Sequence, residues 1–257
     1  VVLSGAGMSQ ESGLKTFRDM DGLWENYKVE DVSSFAGWHR NPKLVMEFYN
    51  QRRKQLLDAK PNAGHFGIAE LEKWFDVNII TQNVDDLHER AGSSKVLHLH
   101  GELRKVRSSI DPSLVYTLDG WELKMGDKCE KGSQLRPNIV WFGEAVPAFY
   151  DAIPLVEKAD IFVVIGTSLV VYPAAGLVDY VPAGVPLFLL DPNEPGVYLN
   201  RKYIFIKERA SLGIKILKDK AQVFAAKTRS RGGIQGEDIL VIYGELSLRG
   251  QIQAADD

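Results

Sequence analysis

Six short apolar runs, rich in β-branched residues, punctuate this chain at 1–4, 77–81, 96–99, 161–165, 186–190 and 203–206. A continuous apolar run suits a strand buried on both faces, which is what a parallel sheet covered by helices supplies. Stretches of helical periodicity separate several of the runs. The alternation predicts an α/β fold with a doubly wound, Rossmann-like parallel sheet. In such sheets ligands settle beyond the carboxyl ends of the strands. Those ends read Gly5-Ala6-Gly7, Gln82-Asn83-Val84-Asp85, His98-Leu99-His100-Gly101, Gly166-Thr167-Ser168 and Asp191. Glycines and polar side chains therefore gather where a ligand belongs.

Two segments break the alternation. Residues 21–64 read as mostly helical, most strongly over 42–58, and residues 102–138 are polar, turn-rich and poorly periodic. Both fall between sheet strands, so both are expected as inserts forming a smaller lobe on a main domain of residues 1–220. Residues 221–257 read as a separate tail: a Gly/Arg/Ser-rich linker over 227–236, then one strand-rich piece over 237–248.

Charge narrows the partners. Lys plus Arg number 31 against 34 Asp plus Glu, a net charge of −3, whereas a dedicated duplex binder is usually basic. No specific nucleic-acid partner is expected. No apolar run approaches the ~18 residues that span a bilayer, so no membrane partner is expected either. The one cysteine, Cys129, makes no intrachain disulfide and fits a reducing cytoplasm. The chain opens inside an apolar strand without an initiator Met, and we read it as lacking a few leading residues. A monomer is the expected state.

Gly5-Ala6-Gly7 follows a strand directly. Small residues there let the backbone approach a pyrophosphate, and the amides of a following helix start favour negative charge. By itself the triplet reads equally as a tight turn. Gln10 stands where a dehydrogenase-type G-x-G-x-x-G needs its third glycine, which weakens an ordinary dehydrogenase reading. Asp191 suits a ribose hydroxyl or a turn cap.

Taken together, the segments resemble a known family. Gly5-Ala6-Gly7-Met8-Ser9-Gln10-Glu11-Ser12-Gly13-Leu14 with Thr16-Phe17-Arg18 resembles the opening motif of the sirtuins. Thr81-Gln82-Asn83-Val84-Asp85, Leu99-His100-Gly101-Glu102-Leu103, Arg136-Pro137 through Val140-Trp141-Phe142-Gly143-Glu144, and Gly166-Thr167-Ser168-Leu169-Val170-Val171-Tyr172-Pro173 are similar to the next four, in order. The resemblance covers roughly residues 1–220. It implies NAD⁺ as cofactor, acyl-lysine proteins or peptides as partners, and release of nicotinamide, O-acyl-ADP-ribose and free lysine. Gly5, Ala6, Gly7 and Ser12 would line the pyrophosphate. Phe17 and Arg18 would shape the loop over the nicotinamide ribose, which Gln82 would hold. Asn83 and Asp85 would take the carboxamide. Gly166, Thr167, Ser168, Asn193, Ala210 and Ser211 would serve the adenosine half. Phe142, Gly143 and Glu144 would flank the substrate peptide on one side, with Val170, Val171 and Tyr172 on the other. His100 would be the general base, a task that suits a neutral imidazole near pH 7. Without the other motifs a strand-end histidine reads as structural. His98 reads as packing beside the site, His88 as a structural residue in an exposed-looking helical stretch, and His65 as a helix-start residue.

Tyr49 and Arg52 are three apart, hence on one face of a helix. A guanidinium beside a phenol suits a carboxylate, through an ion pair plus a hydrogen bond. In isolation such a pair reads as a snorkelling surface feature. At this place it resembles the acid-recognising pair of the desuccinylase/demalonylase branch, which implies a preference for succinyl- and malonyl-lysine over acetyl-lysine. The sequence departs from the family where two Cys-x-x-Cys pairs usually hold structural zinc. Their positions here fall near Ser108, Asp111, Cys129 and Gly132. No metal is expected, only a zinc-less remnant of the module, with Cys129 in a surface turn and Leu114, Tyr116, Leu118 and Trp121 packing the lobe. Two alternatives stay open: an NAD⁺-dependent ADP-ribosyltransferase, and a non-catalytic NAD⁺ sensor. The tail over 236–250 looks similar to the opening strand of tRNA thiouridine-synthesis enzymes and is assigned no activity.

Overall fold

The computed structural model describes residues 1–14, 23–24, 27–230 and 252–253. In chain order the elements are β1 (Val2–Ser4), α1 (Gly7–Gln10), a ribbon of β2 (Leu23–Trp24) and β3 (Tyr27–Lys28), α2 (Val29–Val32), α3 (Phe35–Arg40), α4 (Pro42–Asp58), α5 (Ala63–Leu71), β4 (Ile79–Thr81), α6 (Leu87–Arg90) and β5 (Val96–His98). Then come β6 (Gly101–Ser108), β7 (Val115–Thr117), β8 (Leu135–Ile139), α7 (Ala148–Glu157), β9 (Phe162–Ile165), a 3₁₀ segment (Ala174–Tyr180), β10 (Leu187–Leu190), β11 (Tyr203–Ile206), α8 (Ala210–Ser230) and β12 (Ile252–Gln253).

The main sheet has the order β12-β11-β10-β9-β1-β4-β5. Its six strands from β11 to β5 run parallel, and β12 adds an antiparallel edge. Alternate side chains of each strand enter opposite cores, which explains the unbroken apolar runs. Val2, Ile79, Val163 and Phe188 pack with Ile68 of α5 and Leu217 of α8. Leu3, Ile80, Val164 and Leu189 pack with Ala152 and Val156 of α7 and Leu177 of the 3₁₀ segment. The chain leaves β1 towards β4 and β5, then returns to β9 on the other side of β1. The switch point of the topology, where ligands bind in such sheets, therefore lies between β1 and β9.

The smaller lobe joins both inserts around one core. Val45, Phe48, Tyr49 and Leu56 of α4 meet Leu103 and Val106 of β6, Ile139 of β8, and Leu123. Helix α4 begins where Asn41 Oδ1 accepts Leu44 N at 3.2 Å, with Pro42 in the first turn, a start that needs no donor from proline. The 102–138 insert, expected as irregular, is a three-stranded antiparallel sheet of order β7-β6-β8. Polar side chains fill the wet face of β6, so its apolar signal is thin. Tyr116 and Leu118 do pack on this core, but Trp121 is 37% exposed and Leu123 occupies the buried place instead.

Polar links hold this insert. Arg53, fully buried on α4, donates to Leu103 O and Trp121 O at 3.0 Å each. Asn50 exchanges two hydrogen bonds of 2.9 Å with the backbone of Leu123. Near the positions where the family's zinc ligands were expected, Ser108 Oγ lies 2.6 Å from Ser133 Oγ and accepts the amides of Ile110 and Asp111. Cys129 does open a turn, its carbonyl accepting Gly132 N at 2.9 Å, but its side chain is buried with Sγ 3.1 Å from Ser133 Oγ, and Lys131 pairs with Asp111 at 2.7 Å. Among the described residues no three His, Cys, Asp or Glu side chains gather as a metal site, and no helix is long and apolar enough to cross a membrane.

The tail also differs from expectation. Helix α8 runs on to Ser230, so the start of the expected linker is helical. The strand there is β12, while 237–248 lies outside the described residues.

Candidate active site

Parallel pairing sets Ser4 beside Ile165, so the loops that follow β1 and β9 stand side by side. Gly7 N donates to Gly166 O at 2.8 Å and Gly5 N to Ile165 O at 3.0 Å. Glycine is required here: a Cβ on Gly5 would stand 2.6 Å from Thr167 Cβ, and Gly166 has φ +64 with Met8 N 2.3 Å from any added Cβ. This close approach opens a cleft of about 840 Å³ above the switch point and under the small lobe.

The cleft brings together most of the residues singled out in the sequence. Ala6, Gly7, Gln82, Asn83, Asp85 and His100 line its middle. Gly166, Thr167, Ser168, Asp191, Asn193 and Ala210 line the side below β9 and β10. Phe142, Gly143, Glu144, Val170, Val171 and Tyr172 line the cleft too, and of these Phe142, Val170 and Tyr172 are more than half exposed. Tyr49 and Arg52 line the same cleft from α4. Both are buried, at 1% and 8% exposure, so they are not a snorkelling surface pair.

Three expected residues lie off the wall. Gly5 is buried behind it, its carbonyl accepting Asn83 Nδ2 at 3.0 Å. Ser12 Oγ accepts Asn62 Nδ2 at 3.0 Å. Ser211 donates through both its amide and hydroxyl to Glu11. Each shapes a wall without belonging to it. Phe17 and Arg18 lie outside the described residues.

The polar chemistry is ordered. His100 Nδ1 lies 3.0 Å from Gln82 O. Burial pulls His100 below the ordinary imidazole value, with the Gln82 carbonyl pulling the other way, so the ring is neutral near pH 7. Asp85 is almost fully buried, and desolvation pushes its carboxyl up despite hydrogen bonds from Ser9 and Leu87 N. His98 is held at both ring nitrogens, by Asn83 O at 2.9 Å and Glu89 at 2.8 Å. Burial opposes its charge, but the Glu89 contact wins and raises it. His88, expected as exposed-looking, is 2% exposed and sits 3.0 Å from Ser4 Oγ.

Sequence reasoning missed three groups of the wall. Trp141 Nε1 donates to Tyr49 OH at 3.0 Å, and Ser33 Oγ is 3.3 Å from the same oxygen. Arg136 stacks 3.5 Å from the Trp141 ring centroid and pairs with Glu144 at 2.7 Å. Burial favours a neutral Glu144, but Arg136, Trp141 N and Arg107 overcome it and hold the carboxyl low. The Glu144 side chain is thus spent on bracing its own loop. Ser9, quoted within the first motif, lies at the cleft as well. Trp141 and Ser9 carried a signal in their places in the fourth and first motifs, and Arg136, behind the wall, stands in the fourth as well; Ser33 carried none.

The chain belongs to the Sir2 family, whose family model matches residues 5–173. It is 57% identical over 223 residues to an NAD-dependent protein deacylase of Bacteroides thetaiotaomicron, covering 85% of this chain and 95% of that one. An NAD-dependent protein deacylase of Helicobacter pylori is 55% identical over 212 residues, covering 82% and 91%. Among solved structures, a Sir2 homologue in complex with NAD superposes with a TM-score of 0.78 at 39% identity, covering 86% and 88%. A sirtuin solved to address substrate affinity gives 0.72 at 32% identity, covering 85% and 92%.

Proposed function

We propose that this chain is an NAD⁺-dependent protein-lysine deacylase that favours acidic acyl groups, succinyl and malonyl, over acetyl. The observation that carries the reading is a single cleft holding a neutral, oriented imidazole, a buried amide–acid pair and a buried Tyr–Arg pair. Identity of 55–57% to relatives named as NAD-dependent protein deacylases supports the deacylase part of the reading. The dinucleotide fits the residues present: glycines close the wall at the switch point, and the desolvated acid Asp85 suits a neutral carboxamide better than a cation.

In this reading Ala6, Gly7 and the loop shaped by Gly5 and Ser12 bind pyrophosphate. Thr167, Ser168, Asn193 and Ala210 bind the adenosine half. Asn83 and Asp85 orient the carboxamide, and Gln82 the adjoining ribose. The dinucleotide supplies a glycosidic bond whose cleavage leaves an electrophilic anomeric carbon for the acyl oxygen. His100 then takes the proton of the attacking ribose hydroxyl at Nε2. Phe142 and Gly143 with Val170, Val171 and Tyr172 flank the peptide. Arg52 and the Tyr49 hydroxyl meet the acyl carboxylate. The lone thiol and mild acidity support a cytoplasmic setting with protein or peptide partners.

Mass spectrometry of matched succinyl-, malonyl- and acetyl-lysine peptides, with and without NAD⁺, tests the reading. O-acyl-ADP-ribose, formed fastest from the acidic peptides, is expected. ADP-ribosylated protein without deacylation would point to the transferase alternative, and NAD⁺ binding without nicotinamide release to a sensor.

A further inference from the structure

Four consecutive carbonyls leaving β4 are taken by the chain around His100. Leu99 N donates to Thr81 O at 2.9 Å and Leu103 N to Val84 O at 2.7 Å. Between them, His100 Nδ1 lies 3.0 Å from Gln82 O and His98 Nδ1 2.9 Å from Asn83 O. Backbone amides thus hold the outer two carbonyls and imidazoles the inner two. The two rings differ at their other nitrogen. His98 Nε2 lies 2.8 Å from Glu89 Oε1 on α6. A carbonyl and an ionised carboxylate can only accept, so His98 carries a hydrogen on each nitrogen and is an imidazolium. Three more ionisable groups face this ring. Glu102 of β6 favours its charge, and is itself paired with Lys105 at 2.6 Å. The carboxyl of Asp85 feels that charge from the loop after β4. His88 of α6 is kept neutral by burial.

We propose that Glu89 and His98 form a proton-operated clasp on the active-site segment: with both ring hydrogens in place His98 fixes the backbone at Asn83, beside the carbonyl that orients His100, and with one hydrogen lost it lets that backbone go. The pair positions and does not itself touch the dinucleotide; its effect on turnover rests on the reading of Gln82, Asn83 and His100 given above. The direction follows from hydrogen-bond strength. A neutral His98 has one hydrogen for two acceptors. The carboxylate keeps it, because a charged acceptor makes the stronger bond. Nδ1 then turns a lone pair on Asn83 O, and the segment is released. Glu89 raises His98 above the ordinary imidazole value of 6.5, so the clasp is closed at pH 6.5 and opens as pH rises. Glu89→Gln changes that outcome alone. Its amide can donate to Nε2, so a neutral ring keeps its hydrogen on Nδ1 and holds Asn83 O at either charge.

The test follows three readouts from pH 6.5 upward: nitrogen NMR of the His98 ring, NAD⁺ affinity by calorimetry, and kcat/KM for NAD⁺. In the unsubstituted protein the ring should show two hydrogens at pH 6.5 and lose the one on Nδ1 as pH rises. Over the same range affinity and kcat/KM should fall about tenfold, the scale of one lost hydrogen bond to a charged group. In Glu89→Gln, at a side chain 40% exposed, the neutral ring should keep its Nδ1 hydrogen, and both constants should stay within about threefold at every pH. His98→Gln has no ring proton to lose and should show no basic limb; where it fails to fold, Glu89→Gln decides alone. A single ring hydrogen at pH 6.5, no basic limb in the unsubstituted protein, or an equal limb in Glu89→Gln would overturn the proposal. A merely structural contact would lower Tm in the variants and leave the shape of the pH profile alone, which also overturns it. The ring signals and the affinity are read without turnover. Their expected pattern in a protein that releases no nicotinamide would therefore overturn the functional reading and leave the clasp standing.

Discussion

Nδ1 of His100 lies 3.0 Å from the carbonyl oxygen of Gln82, and a carbonyl can only accept. The contact therefore puts the ring hydrogen on Nδ1 and leaves Nε2 with its lone pair. Burial, the larger influence, pulls the ring below the usual imidazole value. The base is thus ready at neutral pH without a carboxylate partner. The acid limb of kcat/KM should fall below pH 6.5, where unperturbed imidazole would place it. His100→Ala should reduce deacylation at least ~100-fold, while NAD⁺ binding measured by calorimetry survives. Turnover that persists in this variant would remove the histidine from the chemistry.

The Tyr49 hydroxyl accepts from Trp141 Nε1, so its own hydrogen is available to Ser33 or to a bound carboxylate. Arg52→Met should lower desuccinylation about 100-fold, as the loss of a charge-assisted contact implies, and change deacetylation less than about threefold. Trp141→Phe keeps the ring but removes the donor, and a milder loss confined to acidic acyl groups is expected. Matched kinetics on succinyl and acetyl peptides check both; an equal fall on the two substrates would end the argument for an acidic pocket.

The main sheet was legible because its strands are buried on both faces. Val2 and Leu3 serve two different cores, and such strands leave no polar interruption to misread. The site was legible at strand ends, where Gly5, Asn83, His100 and Gly166 have no reason to interrupt apolar runs unless the backbone must turn or a ligand must be met. The small lobe was harder. Strand β6, with Arg104, Lys105 and Arg107 among its residues, carries little apolar pattern because only one face is covered. Ser12, in the first motif, and Ser211, expected on the adenosine side, support the wall through Asn62 and Glu11, a distinction that spacing does not encode. Ser9 and His65 touch across 56 positions, and no local pattern links them.

Where zinc would cross-link the lobe, Arg53 and Asn50 tie α4 to the insert. Arg53 stays charged although burial lowers it to about 10. Arg53→Met would strand the carbonyls of Leu103 and Trp121, which predicts a loss of about 2–3 kcal/mol, read by urea denaturation. A metal chelator should change neither Tm nor turnover in the unsubstituted protein. A chelator-sensitive Tm would show that this lobe does rely on an ion.

Two buried rings link stability to acid. Burial lowers His65 to about 4 and, with the neighbouring charge of His65 adding to it, His88 to about 3. Below pH 6.5 the unfolded chain binds protons that the folded rings refuse, so stability falls as pH falls from about 6.5 towards 4. Each ring contributes a slope of up to about 1.4 kcal/mol per pH unit. His98 acts in the opposite sense, since Glu89 raises it; its contribution is complete below 6.5 and adds little slope there. The raised carboxyl of Asp85 also opposes the two rings, so the fair measurement is a difference. His88→Gln, which keeps a donor towards Ser4, should be flatter than the unsubstituted protein between pH 6.5 and 4 when unfolding free energy is followed by denaturant titration. Parallel curves would mean that His88 is protonated in the folded state or that its cavity opens to water.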